Sequence, residues 1–185
     1  MCKKALQKTK AIFRLRSYLD LKGAKLLYMA FVKPAFNYCP LIWAFHGKKA
    51  QSLLNKTHRR ALQAVYRNSA LSFDELLELD DSPTVHVNSL RILMIEVFKS
   101  LHHLNPSFMW DLFNIKVTKY NLRTGQRLQL PTTKSKSYGT NSIVFRGSLL
   151  WNSLPNTIKS SESLSEFKRK IRNWSGKVCS CHLCI

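Results

Sequence analysis

The sequence predicts a mainly α-helical chain, a helical bundle followed by a smaller, basic α+β module with short strands. Three observations lead there. Apolar residues recur at helical spacing through roughly the first 115 positions. Two Ser-x-x-Glu patterns, Ser72–Glu75 and Ser163–Glu166, each precede an apolar series as capping boxes do. The segment 116–141 turns to Lys, Arg, Thr, Ser, Asn and Gly, with strand-like runs at Leu128–Leu130 and, just after it, Ile143–Phe145.

The longest apolar run, Leu26–Trp43, organises the rest. A membrane span needs about 20 apolar residues with few or no charges. Lys33, Pro34, Asn37 and Pro40 interrupt this one, so no membrane span is expected. A buried core helix in two parts fits better. Proline lacks a donor and biases the preceding residue away from helix, which predicts a break near Lys33 and a restart at Pro34.

A first helix is expected over residues 3–19. Ile12, Leu15 and Leu19 form its apolar stripe, Phe13 lies beside it, and Lys3, Lys10 and Arg14 occupy another face. No capping residue precedes Lys3, so the expectation is that Met1 is an internal methionine of a longer protein. After a stop at Gly47, a second basic helix runs from about Lys48 to Arg67. Lys56, Arg60, Gln63 and Arg67 fall in one stripe, with Leu54, Ala61 and Val65 broadly opposite. Beyond the first capping box and Leu76, Leu77 and Leu79, a longer helix follows Pro83, with Leu90, Met94, Val97 and Leu101 aligned and His102 and His103 near its end. Ser107 caps a short helix through Phe113. A brief helix follows Gly147 and ends at Leu154-Pro155, and the last helix aligns Leu164, Phe167, Ile171 and Trp174. Trp151 can stack on a base or anchor a core; Leu150, Leu154 and the Phe167–Ile171–Trp174 face favour the core.

Thirty basic and ten acidic residues give a net charge of +20, which points to a polyanionic partner. Residues 1–70 carry 15 basic and 1 acidic, residues 71–115 carry 2 and 7, and residues 116–185 carry 13 and 2. This pattern divides the chain into basic helices over 1–70, an acidic helical spacer packed on them over 71–115, and a basic module with a Cys-rich tail over 116–185. No acidic residue occurs between Leu21 and Phe73 to neutralise the first block. Lys56, Arg59, Arg60 and Arg67, with Arg123, Arg127, Lys134, Lys136, Arg146, Lys168, Arg169 and Arg172, are therefore candidate nucleic-acid contacts. The competing reading of the stripe is a solvated helix face. An anionic membrane surface is the second candidate partner after nucleic acid. Five cysteines, three of them in the last seven positions, argue against a secreted disulfide framework and for an intracellular chain, nuclear or cytoplasmic.

Catalytic chemistry finds no foothold. The one carboxylate pair in Glu78-Leu79-Asp80-Asp81 ends a helix and precedes Ser82-Pro83, whereas polymerase carboxylates are held so as to grip two metal ions. No Gly-rich phosphate loop or nucleophile motif is present. The tail residues Cys179, Cys181, His182 and Cys184 have zinc-ligand chemistry. Six consecutive positions can hardly surround an ion, so a zinc there needs partners such as His102, His103 or Cys39, or ligands from a missing tail; the competing reading, which the spacing favours, is a frayed reactive tail.

Leu26-Leu27-Tyr28, Ala30, Val32, Pro34, Tyr38 and Trp43, followed by Arg59-Arg60-Ala61-Leu62-Gln63, resemble the thumb-side region of reverse transcriptases from non-LTR (LINE, Jockey-like) retrotransposons. Leu104-Asn105-Pro106 and Asp111-Leu112-Phe113 resemble the helices downstream. Tyr138-Gly139, Phe145-Arg146-Gly147, Leu150-Trp151-Asn152-Ser153-Leu154-Pro155, Ser163-Leu164 and Phe167-Lys168 follow in the family's order. The likeness runs from about Lys3 to Trp174. The family's palm, with its catalytic aspartates, lies upstream of such a segment, so no catalytic residue carries over. The resemblance implies a thumb-like bundle that grips RNA or an RNA–DNA duplex beside a missing upstream polymerase domain. The alternative is a helical protein–protein interaction module.

Overall fold

The computed structural model describes residues 1–45, 47–116, 127–135, 139–176, 179 and 181. The chain is mainly helical and forms two compact units, Met1–Ser89 and Leu90–Ile185, with the boundary inside one helix. Among the described residues, no helix is long and apolar enough to cross a membrane.

In the first unit, α1 (Cys2–Leu15) packs along α5 (Lys48–Tyr66). The buried face of α1 is Ala5, Thr9 and Ile12, with the Thr9 hydroxyl donating to the Ala5 carbonyl at 2.9 Å. The expected stripe through Leu15 is displaced: Leu15 is 46% exposed and α1 stops there. On α5 the buried residues are Leu54, Thr57, His58, Ala61, Leu62, Ala64 and Val65. The helix α6 (Phe73–Asp80) begins with the complete capping box expected at Ser72 and Glu75 and packs against α5.

The apolar run between α1 and α5 is a chain of short pieces. Asp20 caps α2 (Leu21–Leu27), accepting from the Gly23 amide at 2.8 Å. A π-helical turn over Tyr28–Val32 leads into α3 (Lys33–Asn37), and α4 (Pro40–Trp43) follows. Ala24, Tyr28, Val32 and Phe36 are all buried, at intervals of four. A regular helix would rotate this series by about 120° over its length. The wide π turn absorbs part of that rotation and keeps all four on one face. It also accommodates Pro34, because the preceding amide, Lys33 N–H, reaches back five residues to the Tyr28 carbonyl. The predicted break near Lys33 is therefore absent. The break falls at Tyr38 and Cys39, where Tyr38 is extended and Cys39 is left-handed with φ 46°. Cys39 precedes Pro40, and right-handed helix is disfavoured at such a position. The run is also only half buried: Leu26 (67%), Met29, Phe31, Tyr38 and Ile42 (81%) face solvent.

The helix α7 (Val85–Leu101) crosses the boundary between the units. In the second unit its Leu90, Leu93, Met94, Val97 and Phe98 are buried. A 3-10 turn over Ser107–Leu112, preceded by Pro106 and with no side-chain cap from Ser107, replaces the short helix expected through Phe113. Next come α8 (Ile143–Ser153), α9 (Asn156–Lys159) and α10 (Leu164–Arg172). Phe167 sits in an aromatic stack, with ring centroids 4.4 Å from Phe98 and 5.9 Å from Trp151. Ile171 and Trp174 complete this core, and the Arg91 guanidinium donates to the Trp174 carbonyl at 2.9 and 2.8 Å.

The expected α+β character of this unit is not found among the described residues. Ile143–Phe145 is the first turn of α8. The Ser142 hydroxyl accepts from the Phe145 amide at 3.2 Å, and this cap overrides the strand preference of the adjoining Ile143 and Val144. Leu128 forms a single antiparallel bridge with Ile115, not a strand. Its peptide instead bonds to a side chain: the Leu128 amide donates to Asn152 Oδ1 at 2.7 Å and its carbonyl accepts from Asn152 Nδ2 at 2.9 Å. A segment whose backbone is satisfied this way has no need of a second strand.

Candidate nucleic-acid interface

The basic residues of α1 and α5 meet along the seam between these helices. The small side chain of Ala64 leaves room there, and a groove of about 520 Å³ opens. Lys10, Phe13 and Arg16 line it from α1 and its end, and Arg60, Gln63 and Arg67 line it from α5 and its cap. The Arg16 guanidinium lies over the Phe13 ring, 3.8 Å from its centroid, yet Phe13 is 52% exposed. Lys10 and Arg60 are exposed, and neither pairs with a carboxylate among the described residues.

Four of the unit's acidic residues, Asp20, Glu75, Asp80 and Asp81, serve its helices. Asp20 caps α2 and Glu75 serves the capping box. Asp80 accepts from the Tyr66 hydroxyl at 2.7 Å and lies 3.6 Å from Lys25 Nζ, while Asp81 is the left-handed cap of α6 with φ 49°. The groove thus presents the positive charge of Lys10 and Arg60 with no ion pair to either among the described residues.

The candidate cations of α5 divide by role. Lys56 is exposed, as is Arg60 in the groove. Arg59 Nη2 donates to the Leu71 carbonyl at 3.1 Å, fastening the segment that leads into α6. Arg67, left-handed at the end of α5, donates from Nη2 to the carbonyls of Arg16 and Leu19, which follow α1. It binds the two helices and forms one wall of the groove. Lys10, Phe13 and Arg16 were not among the sequence-derived contacts. Their signal was Phe13 lying off the apolar stripe among basic neighbours, and only the packing of α1 on α5 brings them to Arg60.

In the second unit Lys168, Arg169 and Arg172 are exposed on α10, where Lys170 instead pairs with Glu166 at 2.7 Å. Arg127 lines a cavity of about 630 Å³ with Lys116, Gln129 and Asn152. Burial, and then the charge of Arg127, push Lys159 below the usual lysine range. Lys134 is exposed. Arg146 is buried at 9% exposure, with Nη2 donating to Asn141 Oδ1 at 3.2 Å. Arg123 and Lys136 lie outside the described residues, as do His182 and Cys184. Cys179 and Cys181 are buried with their sulfurs within 4.8 Å of each other, a spacing that two ligands of one metal ion satisfy.

Comparison of the chain with family models, curated proteins and solved structures gives no match.

Proposed function

We propose that the chain is a non-catalytic nucleic-acid-binding module that grips RNA or an RNA–DNA duplex chiefly through phosphates. The observation that carries this reading is the α1–α5 groove, where Lys10 and Arg60 stand exposed without carboxylate partners among the described residues. The resemblance to the thumb-side and downstream regions of a non-LTR retrotransposon reverse transcriptase supports the same reading. In that setting the fragment holds template and primer for a polymerase domain that it does not contain. The engagement of Asp80 with Tyr66 and Lys25 favours a structural role for the Asp80–Asp81 pair. The two buried cysteine sulfurs support a zinc at the tail as a fold-stabilising ion, completed by further ligands.

Salt titration of RNA binding tests the proposal. With about six phosphates contacted, affinity falls by about 10³ between 50 and 200 mM salt. Removing two contacts through Lys10→Ala and Arg60→Ala lowers the logarithmic salt slope by about 2. Binding that stays flat with salt would favour the rival, a helical module for a protein partner.

A further inference from the structure

We infer that the α1–α5 groove takes single-stranded nucleic acid and stacks one unpaired base on Phe13. The inference rests on the nucleic-acid reading above and names the form of nucleic acid that this groove selects. Phe13 projects from α1 away from the buried Ala5–Thr9–Ile12 face. Its burial therefore contributes little to the core, since the residue is 52% exposed. One face of its ring stacks with the Arg16 guanidinium, 3.8 Å from the centroid, and a base would stack on the other.

The Arg16 contact holds the ring and adds positive charge beside it. Lys10, one turn earlier on α1, and Arg60 on the facing helix supply the charges that a backbone needs on either side of a stacked base. Gln63, which lines the groove, is held by its Nε2 donating to the Ser69 carbonyl at 3.2 Å. The combination of a basic channel with an aromatic platform is the general solution for binding single strands with little sequence preference. Paired bases, whose faces are already stacked on one another, cannot use the platform.

Anisotropy titrations of the full chain with a labelled single-stranded RNA, and with the same strand annealed to its complement, decide the matter. Phe13→Leu keeps the side chain apolar and removes the π face. Its affinity for the single strand should fall roughly tenfold or more, the loss expected for one stacked base. Its affinity for the duplex should fall less than that for the single strand, its salt slope should not change, and Phe13→Trp should restore single-strand binding. The thermal midpoint of Phe13→Leu should match the parent chain. Single-strand affinity that survives Phe13→Leu overturns the inference, as does an equal loss on single strand and duplex. If the parent chain binds neither oligonucleotide, the nucleic-acid reading itself is wrong, and that outcome is distinct from a loss of stacking alone.

Discussion

His58 lies in the core of the first unit, where Nε2 is 2.9 Å from the Tyr28 hydroxyl and its ring meets Phe36 and Phe73. Burial pushes its pKa down to about 4; the Asp80 charge opposes the shift and Lys33 adds to it. The same burial pushes Tyr28 upward, so both groups are neutral near pH 7 and share one hydrogen bond. Below pH 6.5 the unfolded chain takes up a proton at His58 that the folded chain refuses. The stability contributed by neutral burial is complete above about pH 6.5 and is lost as pH falls toward 4, by roughly 3 kcal/mol in all. Urea midpoints measured from pH 4.5 to 7.5 should rise with pH, and His58→Gln, which keeps a polar partner for Tyr28, should flatten that rise. An unchanged slope in the variant would assign the pH dependence to other groups.

Among the elements, α8 depends most on close approach. Gly147 sits in its middle, where alanine would raise helix propensity by about 1 kcal/mol. A Cβ there would lie 2.7 Å from Phe113 Cε1 and 3.2 Å from Val97 Cγ2. Phe113 and Val97 are themselves buried, so neither yields readily. Overpacking of this kind costs about 1–3 kcal/mol and outweighs the propensity gain. Gly147→Ala should lower the urea midpoint of the chain, against the usual effect of the substitution in a helix. An increase would mean that the 3-10 turn before Phe113 shifts freely.

For the molecule as a whole, the two units carry separate cores, and Trp151 is central to the second. It is 2% exposed and stacks on Phe167. Trp151→Ala should cost about 3–5 kcal/mol. Hydrogen exchange should quicken in α8, α9 and α10, while α1, α5 and α6 of the first unit keep their protection. Uniform acceleration over both units would show that the chain unfolds as one cooperative body. Because the groove lies wholly in the first unit, the same variant should retain its affinity for single-stranded RNA at low salt.

Sequence alone determined the helical class, because spacing and caps are local properties. Ser72 and Glu75 close their box as written. Ser163 accepts from the Glu166 amide, although the Glu166 carboxylate reaches Glu162 rather than Ser163. The burial of Trp151 was legible too, since three apolar residues on α10 offered it a face. Ile143–Phe145 became helix under the Ser142 cap, a local signal that its β-branched residues masked. Tertiary structure decided the rest. The apolar run Leu26–Trp43 looked uniformly buried, yet Leu26, Met29, Phe31, Tyr38 and Ile42 face solvent, while Tyr28, Val32 and Phe36 continue the buried series begun at Ala24 because a π turn sets their register. The cations looked alike as a stripe. Arg67 became a clamp on the end of α1 and Arg60 a groove wall because helix packing alone brings carbonyls to one and open solvent to the other.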